Sequence, residues 1–361
     1  MFLGLIDTAA IHANNADIEG SSSSGRMPRF FLSEREHPVR IKSRLVLFQL
    51  ILISSYLFFF FEQTSIAVDQ TSTKPVLDAK RAFSYLVKIC DLGSRTTGSD
   101  GMRKQQSMLE KHFTKLGATL VWQDFDMRHP ENGENIVVRN LIVQWEPKKT
   151  DRVLLCTHYD TRPFPVNDPR NPKGLFVGAN DGGSGTALFM ELGHVLQNLP
   201  LNVGVDLVFF DAEEIVYDEQ RDPFFIGSKY FSQAYADDAS SPRYRIGILV
   251  DMIADADLQL FYEKNSLKYA GALVEEVWGI AKELKIKEFK PSIGYEIKDD
   301  HLPLNSIAKI PVIDLIDFDY TRGVPKGKSF WHTMADTPDK CSGSSMVKVG
   351  NVLLEWIKRQ K

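Results

Sequence analysis

The chain has 361 residues, of which 43% are hydrophobic and 25% charged, with a formal net charge of -4. That is room for one large globular domain with appendages. It carries no basic surplus that would draw a polyanion, so nucleic acid is excluded as an expected partner.

Residues 1–43 show no helical or strand periodicity and include a low-complexity serine run at 21–25. They read as a disordered, cytoplasmic N-terminal segment. Arg35, Arg40, Lys42 and Arg44 then precede an uncharged apolar stretch, 45–61. The stretch is short for a spanning helix and long for a signal core. The basic flank places its start on the cytoplasmic side. Residues 44–67 are expected to be a signal-anchor, or a signal peptide cleaved near Ser65-Ile66-Ala67, with Met27 as an alternative start. Either way the following domain, 74–361, is exported, secreted or held at the membrane by that segment.

From there helices and strands alternate. Helical spacing predicts a helix over 79–90, with Ala82, Phe83, Leu86, Val87 and Cys90 on one face, and a second over 104–116. Turns at 93–95 and 97–99 separate them. Strands are expected at 120–125, 135–145 and 153–156, a helix at 185–199, a strand at 203–210 and a helix at 226–235. A strand at 246–250, a helix at 267–284, a strand at 310–316 and a closing helix at 344–358 complete the series. Continuous apolar strands alternating with helices predict an α/β three-layer sandwich. Its central sheet is mixed and mostly parallel, with helices on both faces. Of the three cysteines, Cys90 and Cys156 read as buried apolar thiols, and none has the spacing of a cysteine-rich zinc site.

Ligands in such sheets bind beyond the carboxyl ends of the strands. Five segments, each ending an apolar run or a tight loop, carry metal-ligating side chains: His158 in Thr157-His158-Tyr159-Asp160, Glu213-Glu214 and Asp251 in Val250-Asp251-Met252 just after strand runs, and Asp181 in the loop Gly178-Ala179-Asn180-Asp181-Gly182-Gly183 and His332 in the loop Trp331-His332-Thr333. Carboxylates and imidazoles in this mixture suit zinc. Of two adjacent glutamates at a strand end, one can bind metal while the other works as an acid or base. Asp181 could instead cap the helix that follows it, and His158 could be a core histidine. Lys298-Asp299-Asp300-His301 could supply a further acid or cap a short helix.

Taken in order, these motifs resemble those of the zinc aminopeptidase superfamily over residues 76–358. Phe209-Phe210 before the glutamate pair, and Asp299-Asp300-His301-Leu302-Pro303, are most similar to the glutaminyl-peptide cyclotransferases of animals and their bacterial relatives. The resemblance implies one zinc on Asp181, Glu214 and His332, with Glu213 as general acid/base. It implies that Asp251 and Asp299 complete the polar network around the substrate and that Trp331 forms an aromatic wall. The implied substrates are peptide or protein N-termini beginning with glutamine, converted to pyroglutamate with loss of ammonia. Some positions depart from the animal pattern. The Asp181-Gly182-Gly183-Ser184-Gly185 loop is closer to the aminopeptidases. Glu219 stands where vertebrate cyclases carry tryptophan, Asp314 where they carry histidine, and their disulfide has no counterpart. A two-zinc aminopeptidase, with Asp181 bridging and with His158 and Asp251 on the second metal, is the alternative. A non-catalytic membrane-tethered binding domain is a third reading.

Overall fold

The computed structural model describes residues 76–238, 243–320 and 329–361. The segment 1–43 read as disordered and the segment 44–67 expected to be a signal-anchor or signal peptide lie outside the described residues. Among the described residues, no helix is long and apolar enough to cross a membrane.

Helix α1 (Ala79–Cys90) starts where the Asp78 carboxylate accepts the backbone N–H groups of Lys80 and Arg81. It buries Ala82, Leu86, Ile89 and Cys90, so Ile89 rather than Val87 completes the inward stripe. Helix α2 (Asp100–Lys115) begins four residues earlier than its apolar periodicity indicated, because the Ser99 hydroxyl accepts from Met102 N and caps a polar first turn. The later helices are α3 (Gly183–Leu196), α4 (Ile226–Asp237), α5 (Lys264–Glu283), the short α6 (His301–Ser306) and α7 (Gly343–Arg359).

The strands are β1 (Thr119–Arg128), β2 (Asn135–Trp145), β3 (Asp151–His158), β4 (Gly204–Phe210), β5 (Arg243–Asp251), β6 (Leu260–Tyr262), β7 (Phe289–Ile293) and β8 (Val312–Ile316). Six of them form one sheet in the order β1-β2-β4-β3-β5-β8. The β1–β2 and β2–β4 pairs are antiparallel, and β4–β3, β3–β5 and β5–β8 are parallel. The mixed, mostly parallel sheet is therefore as expected. The separate β6–β7 ribbon was not anticipated; three- and five-residue strands, one containing Pro291, leave little periodicity. Strand β8 starts at Val312 rather than 310, after Pro311, which has no N–H to give a ladder.

Strand alternation divides the interior in two. Val153, Leu155, Val205, Leu207 and Phe209 face a large core shared with α1, α3, α5 and α7. Leu154, Cys156, Val208 and Phe210 face a smaller one with Phe231 of α4 and Leu304 of α6. This covering of both faces explains the unbroken apolar runs in β3 and β4. Leu207 is fully buried at the centre, and trimming it to alanine would cost about 2–5 kcal/mol. All three cysteines are free and buried.

Candidate metal centre

Parallel pairing sets the first contacts. Cys156 lies beside Leu249 in the β3–β5 register, so the strand ends carry His158 and Asp251 out together. Nε2 of His158 lies 3.1 Å from Oδ1 of Asp251 and 3.2 Å from Oδ1 of Asp181. The other oxygen of Asp181 lies 3.3 Å from Nε2 of His332, which is 3.2 Å from Oε2 of Glu214. Three compact donor groups result: His158, Asp181 and Asp251; Asp181, Glu214 and His332; and His158, Glu213 and Glu214. Asp181 joins the first two, one oxygen to each side.

Asp181 does not cap α3. The N-cap is Gly182, with no side-chain hydrogen bond, at φ +77°, and a Cβ there would stand 2.4 Å from the Asp160 carbonyl oxygen. The aspartate is instead aimed by its surroundings. The Asp336 carboxylate accepts from the backbone N–H of Asn180 (2.8 Å) and Asp181 (3.1 Å). Behind the same loop, buried Arg95 donates to the carbonyls of Val177 (2.6 Å) and Gly178 (2.8 Å). The glutamate pair is held similarly. Both oxygens of Asp160 accept backbone N–H groups, from Glu213 and Glu214, each at 3.1 Å. Asp211 accepts from Thr97, from Arg139 N and from Ala212 N. Arg162 donates its backbone N–H to Glu214 Oε1 (2.9 Å), and its guanidinium lies 3.2 Å from Nδ1 of His332.

Backbone strain concentrates here. Among the described residues, Ala212, Phe225, Met252 and His332 all have left-handed φ between 50° and 61°. They precede Glu213, line the pocket, follow Asp251 and carry the imidazole, respectively. Non-glycine residues adopt this conformation at a cost and persist in it where surrounding contacts enforce it.

Above the donor groups lies a cavity of about 390 Å³ lined by Asp181, Glu213, Glu214, Asp251, Asp299 and His332, with Glu219 and Lys298 also on its wall. Phe224, Phe225, Phe318 and Trp331 give it aromatic sides. The Trp331 ring stacks on His332 with centroids 4.0 Å apart. Burial pushes Glu213 well above the usual carboxylate range, with Glu214, Asp300 and Asp299 adding to it and His158 opposing. Burial, then Asp251 and Asp300, do the same to Asp299. Burial and Asp181 raise Glu214 to about 7. Burial also opposes ionisation of Asp181, but the imidazoles of His158 and His332 outweigh it and keep its carboxyl below the ordinary range. The cluster is thus a set of acids sharing too few protons, which a bound dication would relieve. Asp181 Oδ2 and His158 Nδ1 are buried and make no well-formed hydrogen bond, their neighbours His332 Nε2 (3.3 Å) and Asp160 Oδ1 (3.6 Å) being at ion-pair distance only, as expected of groups arranged for a ligand.

Every site residue expected from the sequence lies in this cluster or on its cavity wall. Asp299 lines the cavity, while Asp300 begins α6 without a side-chain cap. Asp160, Arg162, Asp211 and Asp336 were not assigned roles. Asp160 could have been found, because it is two residues beyond His158. Asp336 left no signal, because it acts on backbone N–H groups 155 and 156 positions away.

The sequence model of peptidase family M28 matches residues 140–357. The solved glutaminyl cyclase of Fimbriiglobus ruber is 41% identical, covering 79% of this chain and 96% of that one, with a TM-score of 0.74. A solved leucine aminopeptidase precursor from Bacteroides thetaiotaomicron is 29% identical over 80% of this chain and 99% of that one, with a TM-score of 0.72. The glutaminyl-peptide cyclotransferase of Bos taurus is 24% identical over 247 residues, 60% of this chain and 65% of the bovine protein.

Proposed function

The chain belongs to peptidase family M28, and from that premise we propose that it is a zinc-dependent glutaminyl-peptide cyclotransferase. The observation that carries this reading is the 41% identity to a glutaminyl cyclase across 96% of that enzyme. Glu213 on the wall of an aromatic-sided cavity, its carboxyl held well above the usual range, agrees with it.

In this reading Asp181, Glu214 and His332 hold the zinc. Zinc held there would supply Lewis acidity to the side-chain amide carbonyl of an N-terminal glutamine. Glu213 takes a proton from the α-amine, whose nitrogen then bonds to the side-chain amide carbon of the same residue. As the bond from that carbon to the amide nitrogen breaks, Glu213 returns the proton and ammonia leaves. No water is consumed. Asp251 and Asp299 hold the polar rim, and Trp331 limits the poses open to the short side chain. The substrates are N-termini of peptides or proteins, met in an exported compartment.

One observation favours a second reading. His158, Asp181 and Asp251 form a donor group as compact as the first, which would suit a two-zinc aminopeptidase. Incubation of the purified protein with a glutaminyl peptide and a leucyl anilide separates the two. Ammonia release without amine release, at one zinc per chain, is expected. Amine release with two zinc ions per chain would replace the cyclase with the peptidase.

A further inference from the structure

The cavity accepts the first residue or two of a peptide, and the rest of the chain must leave across the surface. One exit is apolar and pre-built. Ile297 lines the cavity and is buried, Tyr295 is 47% exposed and Ile293 is 66% exposed. Ile293 ends β7 and the other two lie in the irregular segment that follows it, and apolar exposure rises along this strip away from the cavity.

The strip is continuous with the site. The Tyr295 ring meets Phe318 with centroids 5.4 Å apart, Phe318 meets Trp331 at 5.1 Å, and Trp331 stacks on His332. Met252, Ile297 and Ile316 form the buried cluster on which Phe318 and Trp331 rest. The backbone beneath is fixed. Gly294 N donates to Tyr262 O (2.9 Å), Lys264 N donates to Tyr295 O (3.0 Å), and Ile297 N donates to Glu263 Oε1 (2.9 Å). An exposed apolar side chain on a rigid segment leading out of a binding cavity is the form of a docking surface, because little ordering is needed when a partner binds.

We propose that this strip, Ile297 through Tyr295 to Ile293, is an extended subsite for the downstream residues of the peptide whose N-terminus occupies the cavity, and that it selects apolar side chains there. The proposal rests on the cyclase reading for the identity of the first residue. Four extended residues span about 13 Å, so the residues proposed to lie over the strip are those at about substrate positions 3 to 6.

The test uses two glutaminyl heptapeptides, with leucine and phenylalanine or with serine at positions 4 to 6, and a glutaminyl dipeptide amide. Ammonia release from the full-length protein should show kcat/KM roughly five- to tenfold higher for the apolar heptapeptide, carried by KM, as expected for one or two side chains partly buried on an open surface. Ile293→Ser and Tyr295→Ser should erase that preference, and Ile293→Ser should leave the dipeptide rate unchanged. Ile293→Ser makes no change to the Phe318 contact, so it isolates the strip from the cavity wall. Equal kcat/KM for the two heptapeptides, or a preference that survives both variants, would overturn the subsite. Fluorescence anisotropy of the same labelled heptapeptides reads the strip without turnover. Selective apolar binding with no ammonia from any peptide would sink the cyclase reading and leave the strip standing.

Discussion

The two ends of the central sheet both bury charge, in opposite ways. At the start of β3, Arg152 is fully buried and every guanidinium N–H has an acceptor: Asp206, and the carbonyls of Trp145, Glu146 and Lys149. Asp206 in turn accepts from Gln144 and Tyr244. At the far end of the same strand, His158 faces Asp160, Asp181 and Asp251, and hydrogen-bonding capacity is left over on His158, Asp181 and Asp299. A closed network balances its own charge and leaves nothing for a ligand. An open one, with excess acid and unused atoms, is where a cation and a substrate enter. Polar burial alone therefore does not mark the active site; what distinguishes it is unpaired atoms on acids and imidazoles gathered around one cavity.

The comparison breaks if changes at the two ends have the same consequences. The largest effect is expected at the open end. Glu213→Gln should lower ammonia release by roughly 10²–10⁴-fold, the range for loss of a general acid/base. Its metal content and unfolding midpoint should stay at wild-type levels. A variant that stays active would remove Glu213 from the chemistry. His332→Ala should abolish both turnover and tight zinc binding, read by elemental analysis after dialysis. Wild-type zinc content in that variant would mean that the metal sits on other donors.

At the closed end, Arg152→Met should leave Asp206 buried without its cation and reduce stability by about 3–5 kcal/mol, measured by urea unfolding. Turnover per folded molecule at low temperature should be unchanged, since the residue stands at the opposite end of β3 from His158. A variant of normal stability and reduced turnover would mean that the ends are coupled.

The same contrast explains what was legible in the sequence. Asn135–Trp145 and Ala79–Cys90 could be delimited because long periodic apolar patterns survive in a one-dimensional reading. His158, Glu214 and Asp251 could be found because strand ends are where parallel sheets place their ligands, and Asp181 and His332 because each stands in a short polar loop motif. The supports could not. Asp336 and Asp160 act on backbone N–H groups, and Arg95 on backbone carbonyls, which every residue offers and no motif advertises. The β6–β7 ribbon went unseen for a related reason. Its pairing, Leu260 with Phe289 and Tyr262 with Ile293, spans the whole of α5 and leaves no local pattern.

A smaller effect, in the outer helical layer, sharpens the distinction between closed and open pairing. His112 of α2 places Nε2 2.8 Å from the Met190 carbonyl, with Tyr85 and Arg81 of α1, His194 of α3 and Lys115 of its own helix around it. Burial pushes its pKa down to about 4, only partly offset by the Met190 hydrogen bond, and His194, Arg81 and Lys115 lower it further. In the unfolded chain it titrates near 6.5. Between those values the unfolded state binds a proton that the folded state refuses. Stability from this group is therefore complete above about pH 6.5 and is lost progressively as pH falls towards 4. With its partial exposure discounted, the loss should be on the order of 1–2 kcal/mol. His112→Gln keeps a donor for the Met190 carbonyl and removes the titration. The urea midpoint of this variant should fall less than that of the wild type between pH 7.5 and 4.5. Parallel losses in the two proteins would place the acid sensitivity in the carboxylate cluster instead, the open end of the sheet.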